Sequence, residues 1–189
     1  MVPTTELVDD DWAFEIGRLE NIPIGLGAAE RTCDPLEFRR NVAKFATGVA
    51  VITTEDASGA WHGATVNSFG SVSLDPPTVM VSLREGRAYQ AIRDTKRFAA
   101  SILGRHQEEH SRHFAGNKNQ TERPELCVRG SMPTLRDCLA WFECEVFQDV
   151  RVHDHVIFFG RVVEGGGEGD GEGEPLIFYA STYTGKADQ

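Results

Sequence analysis

The sequence predicts a mainly β protein, a barrel or sandwich with a few flanking helices. Five or six runs have the length and patterning of strands, and only short segments carry helical periodicity. The two kinds of segment do not alternate as strand, helix, strand, which disfavours a doubly wound sheet. The chain has 189 residues, 40% hydrophobic and 25% charged, which suits one globular domain with a real core.

Residues 1–33 read as an acidic N-terminal extension of weak periodicity, with a short helix expected over 12–19. Its seven acids against Arg18 and Arg31 give a net of −5. The tract 164–174 adds five acids and no base, while the remainder, with 17 acids and 17 bases, is neutral. The formal net of −10 thus sits in two segments that read as solvated chain and favour neither nucleic acid nor an anionic membrane. MVPTTELVDDDW lacks a basic stretch followed by an apolar one, so it is no signal peptide. No apolar run approaches the ~20 residues of a membrane helix. The cytoplasm is the expected location.

The ordered domain is expected to span 34–189. Asp34-Pro35-Leu36-Glu37 is a helix start, with a capping side chain, proline at the first helical position and an acid in the first turn. The helix should run for about three turns and end at Gly48. Residues 49–54 (VAVITT) read as a strand and 56–59 (DASG) as a turn. The stretch 63–83, GATVNSFGSVSLDPPTVMVSL, follows and reads as two strands joined by a stiff loop at Asp75-Pro76-Pro77. Proline donates nothing to a sheet ladder, so both prolines should lie outside a central strand. Thr65, Asn67, Ser68 and Ser71 set donors and acceptors along a short path. That path suits a ligand rich in carbonyls, ring nitrogens and phosphate, and equally an ordinary strand with a polar edge. A short helix over 87–93 and a strand over 98–103 come next. Residues 106–114 form an amphipathic helix, 116–134 loops, 140–152 and 155–163 long strands, and 176–179 the strand that closes the sheet. GGGEGDGEGE is a flexible acidic loop.

The chemistry-bearing motifs mostly read blandly. Four cysteines without a C-x-x-C pair argue against a zinc framework or disulfide scaffold, and Cys144 reads as a small core residue. His106, His110 and His113 share a helix face. However, HQEEH has Gln107 where a zinc protease needs glutamate, and a solvated face is expected rather than a metal site. The glycine-rich tract has no Lys-Ser/Thr ending, GLGAAE lacks the third glycine of a dinucleotide fingerprint, and no G-x-S-x-G occurs. His153-Asp154-His155 stands before an apolar strand, either as a tuned donor or ligand-orienting group or as a surface pair.

In combination, several motifs carry a resemblance. FRRNVAKFATGVAVIT, ATVNSF followed by SVSLDPP, Phe114-Ala115-Gly116, AWFECEV and HDHVIFFGRV, in this order from Phe38 to Tyr183, resemble the short-chain flavin reductase family. Its members are the reductase components of two-component flavin-dependent monooxygenases. The resemblance implies a Greek-key split β-barrel of the FMN-binding type, homodimeric, with flavin near the subunit interface. It implies that NADH or NADPH reduces FMN or FAD, and that reduced flavin leaves for a separate monooxygenase. Thr65, Val66, Asn67 and Ser68 would contact the isoalloxazine and ribityl chain. Ser82, Leu83, Arg84 and Arg87 would hold the phosphate side, and Phe114 would border the flavin. His155 would meet the nicotinamide as the catalytic residue, with Asp154 fixing its tautomer. Relatives often carry a Ser-Arg-Thr-like phosphate segment; here it is Gly86-Arg87-Ala88, which keeps only the cation. NADH is favoured over NADPH because no basic cluster awaits a 2′-phosphate. Two other readings are a split-barrel carrier or sensor without steady NAD(P)H turnover, and an interaction module with acidic arms.

Overall fold

The computed structural model describes residues 32–116, 124–167 and 173–184. The helix expected over 12–19, most of the extension and the middle of the acidic loop lie outside the described residues. In chain order the elements begin with α1 (Pro35–Val42), β1 (Thr47–Gly48), β2 (Ala50–Glu55), β3 (Trp61–Val66), β4 (Gly70–Leu74) and β5 (Pro77–Arg84). Then come α2 (Arg87–Thr95), β6 (Arg97–Ile102), a 3-10 turn (Arg105–Gln107) and α3 (Glu108–Phe114). The remainder is β7 (Leu126–Arg129), β8 (Met132–Leu135), β9 (Ala140–Val152), β10 (His155–Gly167), β11 (Ile177–Tyr179) and β12 (Thr182–Thr184). The mainly β expectation holds, with helices at the flanks.

Seven strands form one antiparallel sheet in the order β3-β2-β6-β9-β10-β5-β4. Its two edges, β3 and β4, are consecutive in the chain, with only Asn67, Ser68 and Phe69 between them. Four residue steps span at most ~14 Å, so the sheet must curl until its edges meet at one end. No ladder joins β3 to β4. The result is a barrel left open along one seam, the split barrel that the resemblance implied.

The curl encloses a core that includes Ile52, Val81, Ile92, Phe98 and Phe158, all fully buried. A second core, with Val51, Leu103, Leu135 and Leu176, lies on the other face of β2. β2 is buried on both faces, which is why VAVITT runs apolar rather than alternating. Cys144 is in the first core as expected, and burial pushes its thiol up to about 12, so it stays neutral. Phe98 of β6 reaches past β9 to Gly160 of β10, where an added Cβ would come within 2.8 Å of the ring.

Several local expectations need correction. α1 covers eight residues, about two turns, and the chain turns at 43–45 before reaching Gly48. The stretch 63–83 holds three strands, because β4 occupies 70–74 and pairs back onto β5. Pro77 opens β5, a position where a missing N–H is tolerated. Part of the expected loop 116–134 is the β7–β8 hairpin. β10 runs on to Gly167, so the start of the acidic tract is strand. β11 pairs with β1 and β12 in a sheet of its own instead of closing the main one.

Candidate active site

The seam of the barrel is the centre of the candidate site. β3 is an edge strand, so one side of its backbone has no strand partner. A cavity of about 850 Å³ runs beside it, from Trp61 at one end to Asn67 and Ser68 at the other. Six strand steps separate Trp61 from Asn67, ~20 Å. The far wall is the end of β5, the first turn of α2 and the start of β10.

Each wall is held for a stated reason. Ser68 latches the link to β5: its hydroxyl donates to the Ser82 carbonyl (3.0 Å) and accepts from the Ser82 N–H (3.1 Å). Phe69 stacks on Phe142 of β9, with centroids 5.9 Å apart, and anchors the same link. α3 packs on β3 through Thr65, whose hydroxyl donates to the Ser111 carbonyl at 2.6 Å. Phe114 lies against Gly63; a Cβ there would sit 2.5 Å from its ring, so the glycine is required for this approach. α2 begins after Gly86 and sinks Tyr89 and Ile92 into the barrel core.

All ten predicted site residues border this one cavity. Thr65, Val66, Asn67 and Ser68 come from β3 and the link. Ser82, Leu83 and Arg84 come from β5, with Arg87 from α2, Phe114 from α3 and His155 from β10. Their availability differs. Thr65 has committed its proton, so its oxygen faces a ligand only as an acceptor. Ser68 is largely spent on Ser82. Asn67 has no hydrogen bond among the described residues and also borders a second, more apolar cavity of about 530 Å³, next to Phe45 and Met80. Arg87 has no ion-pair or hydrogen-bond partner among the described residues. Arg84 reaches Asp154 at 3.3 Å and is mostly exposed.

His155 opens β10, paired with Arg84 on one side and Val152 on the other. Its Nδ1 lies 2.9 Å from Asp154 Oδ1. That bond, with Arg84 nearby, holds the Asp154 carboxyl below the usual carboxylate range. An ionised Asp154 accepts a hydrogen bond from His155 Nδ1–H and leaves Nε2 for a ligand.

Further residues border the cavity. His113, expected on a solvated helix face, is half-buried and borders the cavity beside Phe114. Trp61, His62 and Tyr89 also border it. His62 and Trp61 stand just ahead of the motif, and strand alternation puts Trp61 on the face of Gly63 and Thr65 and His62 on that of Ala64 and Val66. No group of three or more metal-ligating side chains occurs among the described residues.

Comparison with known proteins gives the family and agrees with the fold. The family described as flavin reductase like domain matches residues 42–187. The NADH-dependent flavin reductase StyB of Pseudomonas fluorescens is 48% identical over 150 residues, 79% of this chain and 88% of its own. The styrene monooxygenase flavin reductase of Pseudomonas putida S12 superposes with a TM-score of 0.73 at 47% identity, over 79% of this chain and 97% of its own. An NADH:FAD oxidoreductase of Streptomyces globisporus C-1027, in complex with NAD and FAD fragments, gives a TM-score of 0.72 at 28% identity, over 84% of this chain and 98% of its own.

Proposed function

The chain belongs to the flavin reductase like family, and from that premise we propose that the cavity along β3 is where flavin and NADH meet. It is an NADH-dependent flavin reductase that supplies reduced flavin to a separate flavin-dependent monooxygenase. Flavin, when bound, supplies the acceptor for the hydride of NADH. The chain supplies placement. The open backbone edge of β3 and the Asn67 amide take the polar rim of the ring, with Thr65 as an acceptor. Phe114 covers one ring face. Arg87, free of any acid among the described residues, takes phosphate, with Arg84 beside it. His155, oriented by Asp154, presents Nε2 to the nicotinamide carboxamide. The observation that carries this reading is that residues from four separate segments, chosen by sequence, border a single cavity.

The test is NADH oxidation by the purified chain, followed by absorbance, with and without added FMN or FAD. Flavin-dependent oxidation that saturates in free flavin is expected. Flavin binding without oxidation of NADH or NADPH would instead support a carrier.

We also place the enzyme in the cytoplasm, and as a homodimer. No helix among the described residues is long and apolar enough to cross a membrane. α1 buries none of its residues, and Leu36, Phe38, Val42 and the following Phe45 are all exposed. Monomers rarely leave such an apolar group uncovered. Phe45 also borders the second cavity, which shares Asn67 and Ser68 with the first, so a subunit packed there would lie beside the flavin. Light scattering should give twice the 20.9 kDa chain mass; a monomer mass would rule the dimer out.

A further inference from the structure

The Trp61 end of the cavity has no task in the chemistry described above, yet it is built with care. Trp61 is 44% exposed, an unusual state for so large an apolar ring. Its indole is fixed all the same: Nε1 donates to Glu55 Oε2 at 3.0 Å. The next residue, His62, has Nε2 2.7 Å from Asp56 Oδ2. Asp56 is immobilised in turn by the Ser58 N–H (2.8 Å), the Ser58 hydroxyl (2.6 Å) and the Ala60 N–H (3.1 Å). These bonds, that of His62 first, hold the Asp56 carboxyl well below the usual carboxylate range. Both rings therefore stand in one orientation on the rim, and His62 Nδ1 has no partner among the described residues.

We propose that Trp61 forms a stacking subsite for the adenosine half of a dinucleotide, with His62 on the other face of β3 holding the adjoining Asp56 turn. This rests on the reading that the cavity takes flavin and NADH. A fixed, half-exposed indole is a stacking platform for a base. His62, one residue on, turns to the other face of the strand and keeps in place the Glu55–Asp56 turn that braces the indole. The distance suits the purpose, since ~20 Å of strand separate Trp61 from Asn67. The phosphates between the two halves would pass Arg87. Two carboxylates, Glu55 and Asp56, flank the subsite, so adenosine fits it better than an additional phosphate on the sugar. FAD and NADH both carry adenosine, and FMN does not.

The experiment compares the full chain with Trp61→Ala, Trp61→Phe and His62→Ala. It measures dissociation constants for FAD and FMN by calorimetry, and KM for NADH with FMN as acceptor. Trp61→Ala should weaken one dinucleotide by about tenfold, leave FMN affinity unchanged, and be largely rescued in Trp61→Phe. Weaker FAD alone assigns the subsite to the flavin dinucleotide, and a raised KM for NADH assigns it to the nicotinamide dinucleotide. Unchanged constants for both, or an equal loss for FMN and FAD, overturn the proposal while leaving the reductase reading intact. A parent chain that binds neither dinucleotide overturns both.

Discussion

Replacing His155 by alanine should lower the rate of hydride transfer from saturating NADH by about a hundredfold, the lower end for a positioned acid–base or orienting group. Flavin affinity should hardly change. The reason is where the side chain is held. His155 is fixed by two strand neighbours, and its Nδ1 is tied to Asp154, which leaves Nε2 as the free atom. None of its bonds supports β3, the link or α2, so its removal leaves the flavin walls standing. Its 42% exposure argues for the lower end of the range, because water can partly replace it. Asp154 stays ionised well below neutral pH, so the ring keeps one orientation across the working range. Stopped-flow single turnovers decide the matter: equal rates for variant and parent would remove the role. A variant that lost flavin binding in parallel would make His155 a wall of the flavin site instead.

Local chemistry made much of the fold legible in advance. Pro35 began α1 where proline at a first helical position predicts, and β9 occupies 140–152, the bounds expected from its alternation. What escaped was decided over distance. Nothing in GSVSL says that β4 is an edge, or that it meets β3 around the seam; that follows from the strand order. The β7–β8 hairpin is short and carries Pro133 within a strand, so its composition reads as loop. His113 shows the limit for the site. Helical spacing put it on the same face as His106 and His110, but spacing does not say what a helix face meets, and α3 meets β3. The ten site residues came from motif resemblance, and their common cavity from topology. Trp61 and His62, outside the motif, were visible only once the cavity was.

Phe98→Ala should destabilise the fold by about 3–5 kcal/mol, the usual range for a buried phenylalanine. Its ring is fully buried at the centre of the barrel, where β6 meets β9, and Cys144 is its direct partner across the ladder. The strand beyond β9 is shaped to receive it. Gly160 stands between Val79 and Val146, next to a register shift, and a Cβ there would lie 2.8 and 2.9 Å from the Phe98 ring. Gly160→Ala alone should therefore cost about 1–3 kcal/mol through overpacking. The pair gives a sharper test than either change. With the ring gone, the added methyl enters vacated space and loses its two closest contacts, the next being the Cys144 Cβ at 3.0 Å, so the double variant should be markedly more stable than the sum of the two losses predicts. Urea midpoints for the four proteins measure the coupling. Strict additivity would mean that Phe98 and Gly160 do not fill each other's space, and that something else keeps residue 160 a glycine. A large coupling would show that the ring and residue 160 compete for one space, and that the glycine is kept so that Phe98 can lie across β9 between β6 and β10.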